Sequence, residues 1–213
     1  ITGEISAADL NSIAAATTGV VTATLDPATA LSDAMVSALT NVDAADVITL
    51  ASTVITADAT ALVALNTLAD TKSFNNVATI TEAAASIGTD AATVLAALVI
   101  APDAAVTITG AISAANLDLV ANATTGAVTA TVADGAVAAT LTALGNVGDD
   151  DVITFTTTDT SADASDLVAL SAKVDTFTTT GVTSITEAAA SIGTDAATVL
   201  AALDIAVDAA VTI

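Results

Sequence analysis

The sequence predicts an α/β solenoid of about eight strand–helix coils, with one parallel β-sheet along one side and a row of short helices along the other. Three observations carry this. The stretch 80–98 recurs letter for letter at 185–203. Short β-branched runs start at Val20, Val47, Val77 and Val106, then at Ala127, Val152, Val182 and Val211, a spacing that matches the coil length of a solenoid. Between those runs the apolar spacing changes from two to three or four, the signature of a strand giving way to a helix.

The repeat fills the chain. Thr17-Thr18-Gly19 returns as Thr124-Thr125-Gly126, and Asp46-Val47-Ile48-Thr49 as Asp151-Val152-Ile153-Thr154. The offset falls from 107 to 105 because residues 24–39 have a counterpart, 131–144, that is two residues shorter. Two units follow, 1–107 and 108–213, of four coils each. Ile1-Thr2-Gly3 matches Ile108-Thr109-Gly110, and Val211-Thr212-Ile213 matches Val106-Thr107-Ile108. The chain therefore begins and ends in one phase, and the expectation is a window of a longer tandem array. Arrays of one unit serve reach or surface.

Strands are predicted at 20–25, 47–50, 77–81, 106–109, 127–132, 152–156, 182–186 and 211–213. Ile48 and Leu50, Ile153 and Phe155, and Ala78 and Ile80 fall on one face, with Thr49, Thr154 and Thr79 on the other. Helical stripes follow in Leu31, Met35, Ala38, Leu39 and Val42, and in Leu141, Leu144 and Val147. Leu62, Leu65 and Ala69, with Leu167, Leu170 and Val174, continue the pattern. So do Val94, Leu95 and Leu98, with Val199, Leu200 and Leu203. Ser6, Ser113, Thr89-Asp90, Thr194-Asp195 and the cluster 161–166 sit where helix N-caps are expected. Gly19, Gly126 and Gly181 lie between a helix and a strand, where a left-handed residue is often needed. Short crossovers of this kind join parallel strands. An all-β solenoid with Ala-rich loops is the alternative. A doubly wound domain fits less well, because no glycine-rich phosphate loop follows a strand.

Composition narrows the function. At 54% hydrophobic the chain can bury a core, but one of small aliphatics, with three Phe, one Met and no Trp or Tyr. The 24 acids against two lysines give a net charge of −22, which repels nucleic-acid phosphates and anionic lipid. Cysteine is absent, so there is no disulfide framework. No unbroken apolar run is long enough to span a membrane; 83–106 comes nearest and is interrupted by Asp90, Pro102 and Asp103. No signal peptide is visible in the sequence. Without His, Cys, Tyr or Trp, most nucleophiles, bases and ligands used by enzymes are missing. Carboxylate pairs could serve glycoside hydrolysis, but sugar sites normally add aromatic platforms. The expectation is a protein that is not an enzyme.

Two residue sets are candidate binding sites. Asp43 and Asp46, Asp103, Asp149, Asp150 and Asp151, and Asp208 precede strands. Stacked along one edge, such oxygens suit Ca²⁺, with 149–151 the best site. The plainer reading is that Asp is a good turn residue on a solvated edge. Thr22 and Thr24, Thr79 and Thr81, Thr107 and Thr109, Thr129 and Thr131, and Thr154 and Thr156 would point outward from successive strands about 4.8 Å apart. That array resembles the Thr-x-Thr rows of β-solenoid ice-binding proteins, although Ser184 and Gly110 interrupt it. The plainer reading is again available, since Thr suits any solvent-facing strand position.

Phrases such as 113–117 (SAANL), 124–129 (TTGAVT) and 185–190 (ITEAAA) resemble tandem repeats of very large bacterial surface proteins. The similar families are cyanobacterial and marine S-layer-like, adhesin and haemolysin-type proteins. The resemblance covers the whole chain, is one of composition, and assigns no functional residues. It implies secretion and a role in an extracellular fibre, layer or adhesin. Copies are expected to associate head to tail through the sheet edges at their ends.

Overall fold

The computed structural model describes residues 1–26, 30–51, 56–87, 91–187 and 192–212. It is an α/β chain of parallel sheets and short helices that divides into two compact units. One comprises Ile1–Thr107 with Ala123–Gly126; the other comprises Ile108–Asn122 with Ala127–Ile213.

Unit 1 opens with β1 (Glu4–Ile5) and α1 (Ala7–Ala16), then β2 (Thr22–Leu25), α2 (Asp33–Ser37), β3 (Val47–Ala51) and β4 (Thr56–Asp58). It continues with α3 (Ala59–Leu68), β5 (Thr71–Ser73), β6 (Thr79–Ala83), α4 (Ala84–Ile87) and α5 (Ala92–Ile100), and enters β7 (Ala105–Ile112). β1, β2, β3 and β5 form one parallel sheet. Register partners come from successive turns of the chain, Glu4 opposite Thr24 and Thr22 opposite Val47. β4 pairs with β6 in a second parallel sheet, and Ala105 N donates to Ala78 O beside it. Leu25, Ile48, Leu50, Leu62, Leu65 and Ile80 are almost wholly buried between strands and helices.

Unit 2 carries the end of β7, then α6 (Ala114–Ala123), β8 (Val128–Val132), α7 (Val137–Ala143), β9 (Val152–Thr156) and β10 (Ser161–Asp163). It ends with α8 (Ala164–Ser171), β11 (Thr176–Thr178), β12 (Ser184–Thr186), α9 (Ile192–Ile205) and β13 (Ala210–Thr212). β8, β9 and β11 are neighbours in one sheet, and β10, β12 and β13 in another. All their registers are parallel. Phe155 anchors this core, fully buried, with its ring 5.7 Å from that of Phe177.

Each of the eight expected strands falls on an observed one. Ile213 and the Thr89-Asp90 cap lie outside the described residues. The sequence pattern missed β1, β4, β5, β10 and β11, which are two or three residues long and have no run of β-branched side chains. Among the described residues the strands divide among three sheets rather than one. Within unit 1, β5 ends its sheet at Ser73. The turn at Phe74–Val77, closed by Val77 N donating to Phe74 O, then carries the chain to β6 in the other. Ala78 is exposed, although its partner in parity, Ile80, is buried.

Helix caps follow the expected chemistry. Ser6 accepts from Asp9 N (3.2 Å) and Ser113 from Asn116 N (3.3 Å). Asp163, within the 161–166 cluster, accepts from Ser165 N. Thr194 and Asp195 instead fall inside α9. The glycine reading needs correction. Among the described residues the positive-φ glycines are Gly3 (94°), just before β1, and its equivalent Gly110 (87°), within β7. Gly126 is required for another reason: a Cβ there would lie 2.6 Å from the backbone of Ala104 and Ala105. Ala91 is left-handed at φ 56°, while its counterpart Ala196, in an identical stretch of sequence, lies within α9.

Candidate functional site

The acids form a system, though one that differs from a stacked metal edge. Asp46 is buried, and its two oxygens accept from Val21 N (2.8 Å) and Asp43 N (3.2 Å). Asp151 repeats this in unit 2, accepting from Val128 N (2.7 Å) and Gly148 N (2.9 Å). One strand further on, Asp70 accepts from Ile48 N (3.0 Å) and Asp175 from Ile153 N (2.8 Å). In each pair a carboxylate reaches back across the sheet to a backbone N–H at the neighbouring strand. Asp159 likewise holds Val137 N at 2.7 Å. On the helix side, Asn11 accepts from Asn41 N (2.6 Å), and its counterpart Asp118 from Asn146 N (2.6 Å). These carboxylates are coil-to-coil staples. A charged acceptor on a backbone donor is among the stronger hydrogen bonds available to a protein.

The expected calcium residues thus serve several roles. Asp46 and Asp151 spend their oxygens on backbone. Asp43 accepts from Ala45 N (2.8 Å) within its own turn, and Asp103 accepts from the Thr125 hydroxyl (2.8 Å). Asp149, Asp150 and Asp208 are exposed. Among the described residues no group of three or more His, Cys, Asp or Glu is arranged to hold a metal ion. Sequence reasoning missed Asp70, Asp175, Asp159 and Asp118. The recurrence of Asp46/Asp70 as Asp151/Asp175 at a constant offset was the available signal.

A second acidic group lies in unit 1 at successive strand–helix junctions. Asp58 caps α3 through Ala61 N (3.1 Å). Buried Glu82 accepts from the Thr60 hydroxyl (3.0 Å) and from Ala83 N (2.8 Å). Asp33 has its carboxyl pushed above the usual range by desolvation first, then by the charge of Asp58 and a hydrogen bond with it, and then by Glu82. Ala138 stands at the equivalent position in unit 2. The two lysines face backbone: Lys72 donates to Asn66 O, and Lys173 to Val147 O at 3.4 Å.

The threonines form rows with a shifted register. Thr22 stands opposite Val47, and Thr129 opposite Val152. Continuous rows run Thr24–Thr49–Thr71 in unit 1 and Thr131–Thr154–Thr176 in unit 2, with Thr156 beside Thr178. Thr79 pairs with Thr56, whereas Thr81 stands opposite Asp58 and donates to Ala57 O (3.4 Å). Thr107 is half-buried and Thr109 exposed. In unit 2 the outward positions of β8, β9 and β11 carry only Thr and Val, with no charge.

Besides a small cleft of about 100 Å³ lined by Thr17, Gly19, Asn41, Asp43 and Asp46, two wider ones open in unit 1. One of about 700 Å³ is lined by Phe74, Asn75, Asn76, Ile100 and Pro102, with Asp103 its sole carboxylate. The other, about 450 Å³, is apolar, between Val36, Leu39, Leu65 and Leu68. Neither brings together a nucleophile and a base. No helix among the described residues is long and apolar enough to cross a membrane. Comparison with protein-family models, curated proteins and solved structures finds no match.

Proposed function

We propose that this chain is a non-enzymatic structural segment, a solenoid of about eight strand–helix coils in an extracellular bacterial fibre, surface layer or large adhesin. The observation that carries the reading is the recurrence of the carboxylate staples. Val21–Asp46 and Ile48–Asp70 in one unit reappear as Val128–Asp151 and Ile153–Asp175 in the other. A contact that joins one coil to its predecessor, and returns with the repeat, is what an extensible array needs. Parallel pairing between strands one coil apart, Glu4 with Thr24 and Ser184 with Ala210, supports the same architecture. Head-to-tail association with further copies follows from it. Small-angle scattering tests the reading on the chain and on covalent tandems of two and three copies. The cross-section should stay constant while length grows in proportion to copy number. A cross-section that widens with copy number refutes it.

A second reading uses the outward face of unit 2. Its in-register Thr and Val rows carry no charge in a protein of net charge −22. Such a plane would suit ice or an uncharged crystalline polymer. Ice-recrystallisation inhibition that disappears in Thr131→Lys/Thr154→Lys would favour it; activity unchanged by those substitutions, or no activity, would remove it.

A further inference from the structure

We infer that Thr17-Thr18-Gly19 is a preformed plug for a second copy of this repeat, and that Val207-Asp208-Ala209 is its seat. The inference rests on the structural-repeat reading and deepens it by naming the contact through which copies join.

The chain contains a working example. In unit 1 the turn Thr124-Thr125-Gly126 sits on Pro102-Asp103-Ala104. The Thr124 hydroxyl donates to Ala104 O (2.7 Å), Thr125 N to Pro102 O (3.4 Å), and the Thr125 hydroxyl to Asp103 Oδ1 (2.8 Å). Gly126 lies so close to Ala104 and Ala105 that a Cβ would stand 2.6 Å from their backbone. Ala104 and Val106 are almost fully buried.

Both halves of this joint recur by sequence at positions where the described residues give them no such partner. Thr17-Thr18-Gly19 repeats the plug and already holds its shape. Gly19 N donates to the Thr17 hydroxyl (3.0 Å), as Gly126 N does to that of Thr124 (2.9 Å). Yet a Cβ on Gly19 would meet only Thr17 Oγ1 at 3.4 Å, and Val20 beside it is 62% exposed. Val207-Asp208-Ala209 repeats the seat, and its turn has the same closure. Ala209 N donates to Ala206 O (3.1 Å), as Ala104 N does to Ala101 O (3.3 Å). Val207 is 77% exposed, and Val211, the counterpart of fully buried Val106, is 37% exposed. The room at Gly19 that none of the described residues fills, and a seat that repeats the internal one with Val207 in place of Pro102, point to another copy of the repeat as the occupant.

Docked as in the internal joint, Thr17 would donate to Ala209 O, Thr18 N to Val207 O, and the Thr18 hydroxyl to the Asp208 carboxylate. Val20 and Val211 would leave water together. The hydroxyl partner satisfies an acid without a cation, which suits a protein with two lysines. Mutual repulsion between copies is long-range, so salt should strengthen the joint.

The test is sedimentation of the full chain across a concentration series in 1 M NaCl, beside Gly19→Val and Thr18→Val/Asp208→Ala, with thermal melts of each. The wild-type chain should self-associate. Gly19→Val should melt unchanged, since the described residues leave room, but associate on the order of a hundredfold more weakly, because the added side chain meets backbone in the joint. The double variant should weaken association on the order of tenfold. Equal association by wild type and Gly19→Val overturns the plug and seat and leaves head-to-tail assembly standing through another surface. A wild-type chain that stays monomeric overturns both, while the solenoid reading is decided separately by scattering.

Discussion

Replacing Asp46 with alanine should destabilise unit 1 by about 3 kcal/mol, and the sign of that change separates two views of the acids. If the carboxylates were only a crowded, solvated edge, deleting one from a chain of net charge −22 would relieve repulsion and stabilise it. The geometry predicts the opposite. Asp46 is 7% exposed and holds Val21 N at 2.8 Å and Asp43 N at 3.2 Å. A hydrogen bond to a charged group contributes about 1.5–3 kcal/mol, and a buried donor left without a partner costs about 1–3 kcal/mol. Val21 is itself buried, so water does not readily replace the lost acceptor. Taking the shorter bond in full and the longer one as weak, and deducting some charge relief, leaves about 3 kcal/mol. The assay is urea unfolding followed by circular dichroism, with Asp150→Ala as an exposed control of equal charge change. A lower midpoint at unchanged slope marks a loss of stability. Amide exchange at Val21 should quicken in Asp46→Ala. If Asp46→Ala and Asp150→Ala unfold together, or Asp46→Ala is the more stable, the staple argument is wrong.

Three further outcomes are expected. Ala91→Gly should leave stability unchanged or slightly raised, because a left-handed Ala costs about 1–2 kcal/mol that Gly avoids, against its own entropic cost of about 0.5–1 kcal/mol. Ala196→Gly, in the same local sequence, should lose about 1 kcal/mol as a helix interior position; equal effects in urea melts would contradict the two conformations. Asp33→Asn should stabilise unit 1 near neutral pH: a carboxyl raised in the folded state favours folding when protonated, and that contribution is lost as pH rises from the ordinary Asp range through the raised value. Melts from pH 3 to 7 should show the variant gaining on wild type with rising pH, and parallel curves would refute it. Finally, melting temperature should rise with NaCl as the Debye length falls from about 10 Å at 0.1 M to about 3 Å at 1 M. CaCl₂ at matched ionic strength should do no more, because Asp46 and Asp151 spend their oxygens on backbone; a further rise with Ca²⁺ that Asp149→Asn/Asp150→Asn/Asp151→Asn abolishes would restore a calcium site.

Local sequence was enough for the repeat, the alternation of strand and helix, and the parallel class. Those follow from periodicity: Ile48 and Leu50 bury one face of β3, and Leu62 and Leu65 one face of α3, wherever the neighbours lie. It also located caps such as Ser6 and Ser113, whose partners are close by in the chain. Short strands such as β5 and β11 were not legible, because so few residues become a strand only when a neighbour supplies the ladder. The role of the acids was hidden for the same reason. Asp46 and Asp150 look alike in sequence, and only the stacking of one coil on the next gives Asp46 the distant backbone donor of Val21 and leaves Asp150 in solvent. Gly126 shows the principle most plainly. A glycine before a strand suggests a left-handed turn, whereas in the fold it is the close approach of Ala104 that excludes a side chain. Local spacing fixes what a segment can become; partners distant in sequence fix which donors are paired and which positions have no room.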